Sequence, residues 1–186
     1  MTQSIPLAGS GMIALTRDAL AALRAALFRD LGADAANYLQ EAGYAGGGAL
    51  FSAFGEWSVR NGYGPAASIA ADDFQRCASE FFRDLGWGSI ALGTLHGAVG
   101  TLDSADWGEA DPQAAMEFPG CHLTTGMFAD FFGRLADTPM AVMEVECRSM
   151  GAPRCRFLLG STDALHHVYE EMSRGVAYED AVAASV

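Results

Sequence analysis

Apolar positions in the first part of the chain recur every three to four residues, the spacing of a helix with one buried face. In "LTRDALAALRAALFRDLG" the repeat falls on Leu20, Leu23, Leu27, Phe28 and Leu31, with Thr16 placed as N-cap and Gly32 placed to stop the helix. A second helical stretch follows, "ADAANYLQEAGYAGGGALFSAFGEWSVRNG", with Tyr38, Leu39, Leu50, Phe51, Phe54 and Trp57 available for burial. Its "GGG" at 46–48 weakens a helix by roughly 1 kcal/mol per glycine. That predicts either a break or a place where another backbone comes close. "ADDFQRCASEFFRDLGWG" is a third helix stopped by glycine, and its "FRDLG" repeats residues 28–32 because two helices end alike.

The pattern then changes period. "SIALGTLHGAVGTLDS" alternates larger and smaller residues about a turn at His96-Gly97 and predicts a strand pair. "ADWGEADPQAAMEFPG" is an acidic loop. "CHLTTGMFADFFGRLAD" returns to helical spacing, with Leu123, Met127, Phe128, Phe131, Phe132 and Leu135 on one face. "PMAVMEVECRS" and "RCRFLLGS" predict two strands joined by "MGAP". "STDALHHVYEEMSRG" predicts a closing helix with Ser161 or Thr162 as N-cap, then a short tail. Helices, hairpin, helix, hairpin, helix is an α+β order with an antiparallel sheet, not an alternating parallel one.

Composition narrows what such a domain does. The 186 residues suit a single domain, and 51% hydrophobic side chains are ample for a full core. A formal net charge of −12, with all 11 basic residues arginine, argues against nucleic acid and against an anionic membrane surface. The apolar "ALAALRAALF" is cut by Arg24, so no membrane span is expected, and "MTQSIPLAGSGMIAL" lacks the basic start of a signal peptide. A cytoplasmic, reducing location is therefore the expectation, and there clustered cysteines point to metal rather than to disulfides.

Two of the four cysteines fall in "EVECRSMGAPRC". With Gly151 at the hairpin apex, Cys147 lies opposite Cys155 and Glu146 opposite Arg156, at cross-strand Cβ separations of roughly 4.5–5.5 Å. Cys121, at the start of the preceding helix, would bring a third sulfur. A tetrahedral metal site needs a fourth ligand. Glu144, Glu146 and His122 are the candidates, and the period of two turns both glutamates away from Cys147 unless a bulge intervenes. The competing reading is that the cysteines are small core residues.

"CHLTTGMFADFFGR" followed by "EVECRSMGAPRCRF" resembles the 4-vinyl reductase domain family, whose members occur as stand-alone proteins and as sensor domains of phenol-, xylene- and toluene-responsive activators. The motif match spans about 121–160, within a motif-bearing part of about 85–175. The element order extends the match to about 14–175, with a helical part at about 14–85 in one domain over 1–186. The resemblance implies a fold similar to the small subunits of the TRAPP tethering complex, with a four-stranded antiparallel sheet of two hairpins, an intervening helix and a C-terminal helix. It also implies a structural zinc ion on Cys121, Glu144, Cys147 and Cys155, with no open position, its charge offset by Arg148, Arg154 and Arg156.

The resemblance further implies a buried site for a small hydrophobic or aromatic molecule. Trp87, Trp107, Met127, Phe128, Phe131, Phe132 and Met143 are the candidate walls, with His96 as a polar contact. The histidine and tryptophan that read phenol in the sensors find no counterparts at the expected intervals. With no ATPase or DNA-binding segment in the sequence, the expected role is a sensor or carrier acting alone or through a partner, as a homodimer. An enzyme or accessory in vinyl reduction of chlorophyll precursors is the alternative. Against it, "GYAGGGAL" follows no strand and so is no dinucleotide loop. A dimeric adaptor is a second alternative.

Overall fold

The computed structural model describes residues 10–97 and 99–184. The start of the stretch read as lacking a signal peptide, up to Gly9, lies outside these residues, as does Ala98 of the first hairpin. Three N-terminal helices come first: α1 (Arg17–Leu31), α2 (Ala35–Arg60) and α3 (Ala71–Asp84). Then follow β1 (Ala91–His96), β2 (Val99–Ser104), α4 (His122–Ala136), β3 (Ala141–Glu146), β4 (Cys155–Gly160), α5 (Thr162–Ser173) and α6 (Tyr178–Ala184). The α+β order expected from the sequence is the one found.

The helix ends follow the local chemistry. Thr16 Oγ1 accepts from the Ala19 N–H at 3.2 Å and starts α1. Gly32 closes it at φ 59°, a conformation that glycine adopts without penalty. Ser161 caps α5 in the same way as Thr16 caps α1, through the Ala164 N–H at 3.2 Å. The expected short tail is instead α6, whose Ala181 and Val182 are buried.

The four strands pair antiparallel in the order β1-β2-β4-β3, so the two hairpins join through β2 and β4. Period-two alternation gives the sheet two working faces. On one face Leu102, Phe157 and Leu159 pack with Phe54, Phe81, Phe128 and Phe131 from α2, α3 and α4. On the other face Val99 and Leu158 pack with Leu165, Val168, Ala181 and Val182 from α5 and α6.

The triple glycine does not break α2, which runs unbroken through 46–48. The close-approach alternative holds at its neighbours. A Cβ on Gly43 would lie 1.9 Å from the Leu123 carbonyl oxygen, and one on Gly126 would lie 1.9 Å from that of Gln40. One turn further on, a Cβ on Gly47 would meet the Asp130 carboxylate at 2.5 Å. The two helices therefore touch backbone to backbone, which fixes the start of α4 against α2.

Candidate functional site

Cys121, Glu144, Cys147 and Cys155 converge in the interior where the start of α4 meets the β3–β4 hairpin. One ligand atom from each lies within 4.8 Å of the others, and all four residues are buried. The Cys121 Sγ is 3.9 Å from both the Cys147 and the Cys155 sulfurs. Glu144 joins them through an irregularity in strand pairing. Glu144 stands opposite Phe157 and Glu146 opposite Arg156, so Val145 is an extra residue between them. This bulge reverses the parity of the strand and turns Glu144 to the cysteine side, while Glu146 bonds outward to Arg154 at 2.9 Å.

The donor chemistry fits a metal ion. Glu144 Oε2 accepts from the Cys121 N–H at 2.8 Å, while its Oε1 is buried without a hydrogen-bond partner. Such an orphan costs free energy unless something meets it. Burial, reinforced by the neighbouring Cys147, pushes the Glu144 carboxyl up to about 8. Contact with Cys147 and Cys155, together with burial, holds the Cys121 thiol well above its usual value. The thiols of Cys121 and Cys155 pull Cys147 down toward the thiolate, helped by the Gly120 N–H and the Ser149 side chain. Acceptors crowd this space without a cation among the side chains: Arg154 bonds to Glu146 and Asp103, and Arg156 to Asp103. The cluster could thus hold a metal, with three sulfurs and one carboxylate oxygen as the donor set.

Glu144→Gln separates the ligand role of this residue from its shape. The amide oxygen keeps the bond to the Cys121 N–H, but the other arm becomes a donor. Metal affinity in a chelator competition is expected to fall at least about 10-fold, the scale of perturbed metal sites. Unchanged affinity would remove Glu144 from the donor set.

Above the cluster lies an arrangement that residue spacing did not reveal. Glu109, in the stretch read as an acidic loop, is buried and caps the start of α4. Its carboxylate accepts from the Leu123 N–H at 3.1 Å and from the Thr124 N–H and hydroxyl at 2.8 and 2.5 Å. Burial pushes this carboxyl up, against the pull of Arg24, whose Nε is 3.6 Å away. The Trp107 indole N–H donates to Thr124 Oγ1 at 2.7 Å. No short-range pattern links an arginine on the first helix with a glutamate 85 residues later.

An apolar cleft of about 530 Å³ opens beside this network. The segment from Met12 to Arg17 and Leu20 line one side, and Ala42, Gly43, Gly46, Ala49 and Leu50 of α2 form another. Residues Asp84 to Trp87, Gly108, Leu123 and Met127 complete the wall. Of the aromatic and sulfur side chains expected around a ligand, Trp87 and Met127 line this cleft. Trp107 stacks behind Trp87 at 5.5 Å, and Phe128, Phe131 and Phe132 fill the core. Met143 packs on the far face of the sheet, and His96 is exposed at the end of β1.

Fold and site define an α+β domain in which a hairpin and a helix start close a buried cluster of three cysteines and a glutamate beside an apolar cleft. Residues 111–161, which contain all four cluster residues, match the model of the vinyl-4-reductase domain, the family that the sequence resembles. Among solved structures, the chain is similar to the phenol-responsive sensory domain of the transcription activator PoxR, solved with phenol. That likeness has a TM-score of 0.63 at 20% identity, over 81% of this chain and 76% of that one. It is also similar to a trafficking protein particle complex subunit 3 from Naegleria fowleri covalently bound to palmitic acid. There the TM-score is 0.59 at 12% identity, over 77% and 91% of the two chains. A vinyl-4-reductase family protein from Methanocaldococcus jannaschii matches over 61% and 68%, at 16% identity and a TM-score of 0.43. No curated protein matches the chain in sequence.

Proposed function

We propose that this protein is a zinc-stabilised binding domain that holds a small hydrophobic or aromatic molecule as a sensor or carrier. The observation that carries this reading is the apolar cleft of about 530 Å³, a volume within the usual range of ligand sites. Similar folds hold phenol in the PoxR domain and palmitic acid in the trafficking subunit. Zinc is the metal that three thiolates and one carboxylate favour, and four protein ligands leave no open position, so its role is structural. Free thiols point to a reducing compartment such as the cytoplasm. Among the described residues no helix is long and apolar enough to cross a membrane.

A ligand at 100 times its Kd adds about 2.7 kcal/mol of stability. For a chain of this size that is a rise in Tm of roughly 5–10 °C. A thermal-shift screen of alkylbenzenes, phenols and fatty acids is expected to find a class that gives it, and native mass spectrometry should show the bound mass. A flat screen with no retained mass overturns the reading. A second reading, the homodimeric adaptor, is favoured by Leu23, Leu31, Tyr38 and Tyr44, all large and exposed on α1 and α2. Light scattering at micromolar concentration tests it, with a monomer as the contrary result.

A further inference from the structure

We propose that α1, with the segment leading into it, is a lid over the apolar cleft, latched shut by Arg24 and hinged at Gly32, and that the cleft fills when this lid opens. The inference rests on the ligand-binding reading above and assigns its gate.

The way α1 is attached sets it apart from the other N-terminal helices. Only Leu20 and Arg24 of its side chains are buried, and Leu20 is itself part of the cleft wall. Arg17, Leu20 and Arg24 share one face at i, i+3 and i+7. The two arginines do the holding, chiefly through backbone carbonyls. Arg17 donates to the Gly86 oxygen at 2.8 Å. Arg24, 5% exposed, donates to the Gly120 oxygen at 2.6 Å and to the Glu109 oxygen, and it faces the Glu109 carboxylate.

Contacts of this kind exchange readily for water, because the net gain of a hydrogen bond is small compared with burying an apolar face. Elements with little apolar burial are those that open locally while the rest stays folded. Arg24 Nε is buried without a partner, so even the closed latch is incompletely satisfied.

The surfaces under the latch are shaped for it. A Cβ on Gly120 would come within 2.8 Å of Arg24 Nη2, and one on Gly108 within 3.1 Å of Arg17 Nε. Glycine at both positions lets the guanidinium groups lie against the chain. At the other end of α1, Gly32 in its left-handed conformation joins α1 to α2 and provides a pivot that a side chain would stiffen. Gly120 immediately precedes Cys121, so closing the latch also steadies the backbone at the edge of the cysteine cluster.

Hydrogen–deuterium exchange of the metal-loaded full chain decides the matter. The amides of 17–31 are expected to exchange at least 10-fold faster than those of α2 and α4. Arg24→Gln should speed α1 a further 10-fold, leave α4 and the metal content unchanged, and raise the association rate of the neutral apolar dye Nile red. Arg24→Lys, which keeps the charge and one donor, should restore part of the slow exchange. Bound dye should slow α1 exchange in the unaltered protein.

Exchange of α1 in step with α2 and α4, or an equal effect of Arg24→Gln on all three helices, overturns the lid. Dye that binds while α1 exchange stays unmoved also overturns it and leaves the ligand-binding reading standing. Dye that binds neither protein, with α1 opening as described, fails the ligand-binding reading and takes the gate with it.

Discussion

Replacing Cys147 by serine is expected to release the metal and lower stability by at least about 4 kcal/mol, the range reached when a point substitution removes a structural metal. The Cys147 sulfur is fully buried and 3.9 Å from that of Cys121. A serine hydroxyl is a harder, shorter and more basic donor, so the three remaining ligands cannot close a tetrahedron around zinc. The cost is compounded because Glu144 Oε1, already without a protein partner, would then have no metal to meet it. Native mass spectrometry should pass from one metal ion per chain to none, and Tm should fall by roughly 10 °C or more. Cys77→Ser supplies the contrast. Cys77 is equally buried, but it lies on α3 outside the cluster, and burial pushes its thiol up to about 12. That variant should keep the metal and lose about 1–3 kcal/mol, the cost of burying an ill-partnered hydroxyl. Metal retained in Cys147→Ser at unchanged Tm would return these cysteines to the role of ordinary core residues.

The second large effect is expected where α2 and α4 touch. Glycine to alanine inside a helix ordinarily gains up to about 1 kcal/mol. At Gly43 and Gly126 the sign should reverse, because the new methyl would stand 1.9 Å from a carbonyl oxygen of the facing helix. Backbone cannot swing aside as a side chain can, so the helices must separate along their length. Overpacking typically costs about 1–3 kcal/mol, and contact with main chain places these sites at about 3 kcal/mol or beyond. The double variant should cost less than the sum, since the first separation makes room for the second methyl. Gly55→Ala, on the same helix with open space around its Cβ position, should stabilise by up to about 1 kcal/mol. Chemical denaturation of the four proteins tests the pattern, and a stabilised Gly126→Ala would mean that the helices do not cross so closely.

What was legible beforehand follows from the range of the forces involved. Helix periods, the Thr16 and Ser161 caps and the strand pairs are local, and they appear where the sequence put them. The four cluster residues were assigned by resemblance, because strand parity alone turned Glu144 away. The extra residue at Val145 is the physical reason that it turns back. The triple glycine was ambiguous for a similar reason: only the position of α4 decides between a break and a close approach. The cleft was the least legible part, because its wall is drawn from four separate segments of the chain. His96 and Met143 had suitable chemistry, but the register sends one to an exposed strand end and the other to the far face. Glu109 and Arg24 were read as loop and helix surface, and only tertiary packing turns them inward.

Three sulfurs meeting at one point have a further consequence for handling the protein. An odd number of thiols cannot pair off among themselves, so in a chain stripped of metal and exposed to air, any disulfide formed between two of them strands the third. That leftover sulfur is buried while the fold holds, but it becomes available whenever the hairpin loosens, and its natural partner is then the same sulfur of another molecule. Preparations made without reductant or metal are thus expected to accumulate covalent dimers on non-reducing gels, and these say nothing about assembly of the intact protein.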